Sequence, residues 1–234
     1  MKKLLVAAVT STLLATSAAW GQDAMDYYTR GVNSSLAKHK IKYFTRALQL
    51  DPYLADAYAK RATLYYFQDH FEESIQDYLR VIQLDPVRVK AYQMLSLVQL
   101  KSGNLHEAIA SASRAIELDP KGATAYSQRA EAHRLRGMLD EGIRDATTAI
   151  RLRGDQRTTA DAYATRAKIY EQLGRSDLSR DDFLKSFELD PRYAVLRYFT
   201  QTASLENTRR IGLFGIIGIL FVMIFKMALP KPRK

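Results

Sequence analysis

The sequence predicts an all-α fold: a solenoid of about four to five stacked helix hairpins with a capping helix, followed by a single membrane-crossing helix. Three observations carry that expectation. A 34-residue internal repeat runs through the middle of the chain, in ALQLDPYLADAY (47–58), VIQLDPVRVKAY (81–92) and AIELDPKGATAY (115–126). Within each repeat, apolar and small residues recur at three- and four-residue spacing, the signature of one helix face. Near the C-terminus, IGLFGIIGILFVMIF (211–225) runs for fifteen residues without a charge.

At the N-terminus, Lys2 and Lys3 precede an apolar run from Leu4 to about Ala15, and small residues follow. Ser17-Ala18-Ala19 or Ala19-Trp20-Gly21 would serve as a cleavage site, so residues 1–21 have the order of a secretory signal peptide. Between Leu4 and Ala15 the run is broken by Thr10, Ser11 and Thr12, which makes a stable membrane helix the weaker alternative.

The repeats occupy residues 22–206. With Tyr58, Tyr92, Tyr126 and Tyr163 aligned as position 4, position 8 is small each time (Ala62, Ser96, Ala130, Ala167). Position 20 is small as well (Ser74, Ala108, Gly142, Ser179). Positions 4, 7, 8 and 11 share one face of a first helix, and 20, 24 and 27 one face of a second. Small residues at 8 and 20 allow the two backbones to approach closely, which predicts an antiparallel hairpin. Turn residues such as Ser102-Gly103-Asn104 separate the helices. Asp-Pro closes each unit, because the residue before proline avoids the α region and proline then starts the next helix. A single hairpin cannot bury its apolar face, so the units stack.

An earlier, degenerate unit begins at Ala24 and runs through Tyr27-Tyr28-Thr29-Arg30-Gly31 to Phe44, Ala47 and Pro52, with a shortened turn. The fourth unit carries three extra residues near Gln156-Arg157-Thr158, and Arg153-Gly154 replaces Asp-Pro. A slight kink or wider spacing is expected there. After Pro191, Tyr193, Leu196, Phe199 and Ala203 share a face and suggest a capping helix.

This pattern resembles the tetratricopeptide repeat family over about residues 55–191, with tyrosine where the family often has tryptophan. The resemblance implies a concave groove lined by positions 2, 5, 9, 12 and 13 of each unit. The candidate partner-binding residues are therefore Tyr66, Phe67, Lys90, Gln93, Leu97, Lys101, Ser127, Glu131, Arg134 and Lys168. Lys90, Lys101, Arg134 and Lys168 are expected to face inward, with Arg134 and Lys101 solvated, where an anionic segment would meet them. The family's two-carboxylate clamp for chaperone tails needs lysine at position 5 and asparagine at position 9. Here those positions hold Ala59 and Thr63, or Tyr28 and Val32 in the degenerate unit, so that specificity is not implied.

Ile211–Leu229 is apolar all round and spans about 28 Å as a helix, enough to cross a bilayer. The membrane segment is assigned to residues 207–229 and the basic cytoplasmic tail to 230–234. Four Lys or Arg lie in or after its last turn against Arg209 and Arg210 before it, so the positive-inside rule puts the tail in the cytoplasm and the repeats outside.

The net charge of +10 is concentrated at these edges. Residues 22–210 hold 29 Lys and Arg against 25 Asp and Glu, with no basic stripe of the kind that tracks phosphates, so no nucleic-acid partner is expected. Cysteine is absent, which excludes disulfides, thiolate metal sites and a cysteine nucleophile. His39, His70, His106 and His133 are not paired with a second ligand at helical spacing, and no phosphate loop or nucleophile elbow occurs. No catalytic residue, cofactor or metal is assigned. The expected role is a non-catalytic scaffold for a protein or peptide partner, anchored by one C-terminal helix with its repeats on the periplasmic or extracytoplasmic side. A tail-anchored adaptor facing the cytosol is the alternative. Protease added to spheroplasts should degrade the repeats; protection until the bilayer is broken selects the alternative.

Overall fold

The computed structural model describes residues 23–190. Helix α1 covers residues 23–33. It is followed by α2 (Ala37–Leu50), α3 (Ala55–Phe67), α4 (Phe71–Leu84), α5 (Val89–Ser102), α6 (Leu105–Leu118), α7 (Ala123–Leu135), α8 (Leu139–Leu152), α9 (Gln156–Gln172) and α10 (Ser176–Leu189). Consecutive helices pair as hairpins, and each hairpin packs on the next, so the described residues form five stacked units. The expected signal peptide, capping helix and membrane segment lie outside the described residues. No helix among the described residues is long and apolar enough to cross a membrane.

The small residues do what their spacing predicts, and the serines do more. Ser74 Oγ donates to the Ala62 carbonyl at 2.8 Å, and Ser96 Oγ to the Ala108 carbonyl at 2.9 Å. These mirror-image bonds join positions 8 and 20 across the hairpin, so the hydroxyl that permits close approach is itself satisfied. In the third unit, a Cβ on Gly142 would stand 3.3 Å from the Ala130 carbonyl and 2.7 Å from Ile169 Cδ1. Gly31 plays that part in the first hairpin, where a Cβ would meet the Phe44 ring at 2.6 Å. The degenerate unit is thus a true hairpin, closed by Tyr28 against Phe44 with ring centroids 5.7 Å apart.

Asp51, Asp85, Asp119 and Asp190 end their helices in extended conformations, as pre-proline residues should. At the irregular junction, Arg153 instead turns left-handed (φ 49°), and Asp155 Oδ1 caps α9 by accepting from Thr158 N at 2.9 Å. The three extra residues are absorbed as one additional turn of α9, which runs for 17 residues. A Cβ on Gly154 would stand 2.8 Å from Ala123 Cβ, so this link is closely packed.

The repeat also contains an interaction at positions 7 and 23. Arg61 grips Asp77 with two hydrogen bonds of 2.7 Å. Arg129 holds Asp145, and Arg166 holds Asp182, in the same bidentate geometry. Each guanidinium also reaches back to a hydroxyl of the preceding hairpin: Thr45, Ser113 and Thr147 respectively. It lies over the position-4 tyrosine at 5.6–5.7 Å from the ring centroid. The second unit departs from this pattern. It has Leu95, packed with Ala62, Tyr78 and Val98, and Ser111, whose Oγ donates to Gln99 Oε1 at 2.7 Å. The position that supplies the hydroxyl elsewhere is correspondingly Leu79.

The two solutions make a test within one chain. Arg129→Leu should cost about 3 kcal/mol, because Asp145 is left buried without its partner. Arg129→Leu combined with Asp145→Ser, the second unit's own pair, should recover more than half of that loss in the melting of residues 22–206. A double variant no more stable than the single one would show the pair to be uncoupled.

Candidate functional site

Helices α3, α5, α7 and α9 are the first helices of the full units. Between α5, α7 and α9 lies an open cavity of about 180 Å³. Leu97, Leu100 and Lys101 line it from α5; Ser127, Gln128, Glu131 and Leu135 from α7; Asp161 and Thr165 from α9. Three successive units therefore build one site, and Leu97, Lys101, Ser127 and Glu131 of the sequence-derived groove converge in it. Position 13 forms an exposed rim: Phe67, Lys101, Leu135 and Gln172 are all exposed, Phe67 to 74%.

The other candidates fall outside this cavity. Tyr66 packs on the Ala62–Tyr78–Leu95–Val98 cluster and makes an edge contact with Phe67 at 5.3 Å. Lys90 is exposed and Gln93 half-buried, on the same helix as Leu97 but nearer its start. Gln128 and Thr165, at position 6, were absent from the groove set because the family pattern assigns the lining to other positions.

The expectation of a solvated Arg134 is not met. Arg134 donates from Nε and Nη2 to both oxygens of Glu131 at 2.8 and 2.9 Å, with only 13% of its side chain exposed. Its pKa is raised by that hydrogen bonding. Lys168 is buried, with Nζ 3.6 Å from Glu131 Oε1, and Thr165 Oγ1 donates to Glu131 Oε2 at 3.2 Å. The spacing that brings positions 9 and 12 to one face puts an acid and a base within reach, so they meet each other rather than solvent. Glu131 is the hub of an ion cluster joining α7 to α9. Lys101 remains the exposed cation of the cavity wall.

Behind the groove, His133 is buried with Nε2 3.5 Å from Asp145 Oδ2 and no hydrogen-bond partner for Nδ1. Burial lowers its pKa below the usual 6.5, outweighing the pull of Asp145. Gln128 Oε1 is likewise buried without a partner, on the cavity wall. Among the described residues no group of His, Asp and Glu is arranged to hold a metal.

Tetratricopeptide repeat models match residues 59–123 and 94–155, and a second one matches 160–193, together more than half of the chain. The chain belongs to the tetratricopeptide repeat family. Among solved structures, a crystal structure of MamA is similar with a TM-score of 0.63 at 21% identity, covering 75% of this chain and 94% of that one. MamA from Desulfovibrio magneticus RS-1 gives 0.64 at 14% identity, covering 74% and 96%. YrrB, described as a tetratricopeptide repeat protein with an unusual peptide-binding site, gives 0.56 at 19% identity, covering 70% and 84%. At these identities the likeness is one of fold. No curated protein matches the chain.

The lowered pKa of His133 has a consequence with a definite sign. The unfolded chain takes up a proton near pH 6.5 that the folded chain resists. The stability due to neutral His133 is therefore complete above that pH and declines as pH falls through the window beneath it. His133→Gln, which copies Gln99 of the preceding unit, should flatten the melting temperature between neutral pH and pH 6.5 downward. Parallel curves for the two proteins would show that His133 does not titrate in this environment.

Proposed function

We propose that the protein is a non-catalytic interaction scaffold, anchored to a membrane by its C-terminal segment, that binds a peptide or partner helix in the concave groove. The observation that carries the reading is the cavity shared by α5, α7 and α9. It has Leu97 and Leu100 on its floor, Leu135 at its rim and one exposed cation at its wall. Leucines of α5 and α7 accept an apolar anchor. Because Glu131 already engages Arg134, Lys168 and Thr165, the ligand is selected by apolar shape with Lys101 as a secondary contact, rather than by a ladder of free cations. The peptide-binding site attributed to YrrB, a protein of similar fold, agrees with this mode of use.

Anchoring and sidedness rest on the sequence of the two termini. An apolar run followed at once by KPRK supports a span with its tail in the cytoplasm, and the signal-like start supports export of the repeats. A scaffold so placed would gather its partner close to the outer surface of a bacterial inner membrane.

The test is capture in the native membrane. A photo-crosslinking residue at Leu100 of the full chain should trap one dominant partner. Leu97→Asp with Leu135→Asp should reduce trapping more than about tenfold, since each apolar anchor contributes about 1.5–3 kcal/mol when buried. Arg114→Glu, on the outer face of α6, should leave trapping unchanged. Loss with Arg114→Glu and retention with the leucine pair would put the partner on the convex face and end this reading.

A further inference from the structure

The first hairpin carries a surface outside the cavity shared by α5, α7 and α9. Helix α2 holds Lys38, Lys40, Lys42 and Arg46 and no Asp or Glu, a balance that no other described helix reaches. Its first turn has no acidic residue and no side-chain cap, yet Lys38 and Lys40 stand there against the positive end of the helix dipole. That placement works against helix stability. Among the described residues none of the three lysines forms an ion pair, and neither do Lys60, Lys90 and Lys101. No other described helix gathers three such lysines, however, and Arg30, Arg114, Arg144 and Lys185 on other helices are paired. The acids of α1, Asp23 and Asp26, are at the far end of the hairpin, and Asp26 is already paired with Arg30.

A second, independent feature adjoins this charge. The tip of the same hairpin is apolar and open: Leu36 is 58% exposed and Val32 43%. Inner hairpins are covered by neighbours on both sides, and the terminal units of a solenoid ordinarily turn a polar face outward. Inner hairpin turns also expose apolar side chains, Phe67 to 74% and Leu135 to 46%, but their second helices open on Glu72 and Glu73 or on Asp140 and Glu141. Among the described residues, only at the first tip do exposed aliphatic side chains stand beside lysines, the composition of a surface that enters the headgroup region of an anionic bilayer. One repeat further on, Glu72 and Glu73 occupy the places of Lys38 and His39. Headgroup attraction is thereby confined to the first hairpin. A nucleic acid would use the lysines but leave Leu36 and Val32 without a role, and the next unit's acids would repel a backbone tracking along the repeats.

We propose that the α1–α2 tip, through Val32, Leu36, Lys38, Lys40 and Lys42, docks on an anionic lipid surface. Docking would hold the N-terminal end of the solenoid at the bilayer and so set which way the groove faces. This proposal is independent of the groove reading and of the C-terminal anchor.

The absence of cysteine allows a clean local probe. Ser35→Cys in the full chain, labelled with an environment-sensitive fluorophore, reports on the tip alone, whatever the C-terminal segment does. Mixing with vesicles of phosphatidylcholine plus phosphatidylglycerol should shift its emission to the blue, and vesicles of phosphatidylcholine alone should not. Lys38→Gln, Lys40→Gln and Lys42→Gln together should lower the apparent partition constant of the tip on the order of 100-fold, at about a fivefold loss per charge. The arginine triple variant should retain the response, and raised salt should weaken it. The glutamine variant should melt no lower than the parent, which separates lost docking from lost folding. An equal response to neutral vesicles, or a full response from the glutamine variant, would overturn the proposal. So would a shift produced by poly-glutamate or duplex DNA while anionic vesicles produce none.

Discussion

A guanidinium shared between a carboxylate of its own hairpin and a hydroxyl of the hairpin before it is the joint on which this solenoid depends. Arg61, Arg129 and Arg166 each make it, and in each case the side chain is mostly removed from water. The planar fork meets Asp in two parallel bonds and leaves a third donor pointing towards the preceding unit. One residue thus sets both the closure of a hairpin and its register on its neighbour. The aromatic ring beneath it excludes water from one face of the ion, which strengthens the attraction and makes the tyrosine part of the joint as well as part of the packing.

The second unit shows that the joint can be built otherwise. Leu95, Gln99 and Ser111 replace the charged set with apolar contact and one neutral hydrogen bond, and Leu79 replaces the hydroxyl that an arginine would have needed. The substitutions form a consistent group because each partner is useless, or costly if buried, without the others. This unit also supplies Leu97 and Leu100 to the groove. The apolar centre of the solenoid and two leucines of the cavity therefore fall on the same helix.

Electrostatics divides the molecule in a way that net charge conceals. Much of the charge along the middle repeats is spent within the structure, in the joints and in the Glu131 cluster that ties α7 to α9. The groove consequently presents less free charge than its residue types suggest. Unspent cations gather on α2, where no acid shares the helix.

The groove positions of Leu97, Lys101, Ser127 and Glu131 came from the family resemblance, whereas the repeat length, the hairpins and the Asp-Pro boundaries were legible in the chain itself. They follow from periodicity and backbone sterics, which are local and recur at 34-residue intervals. The pairing of Arg61 with Asp77 was not legible, although both positions recur, because charged residues sixteen apart read as surface until the hairpin brings them together. Nor was the fate of Arg134 and Lys168: helical spacing places them on the groove side, but whether a cation there meets solvent or Glu131 depends on side-chain reach between neighbouring units. The extra residues at Gln156 signalled an irregularity without revealing its form. Only the fold decided that they lengthen α9 behind an Asp155 cap, since that outcome required Gly154 to pass within contact of Ala123 on the preceding hairpin.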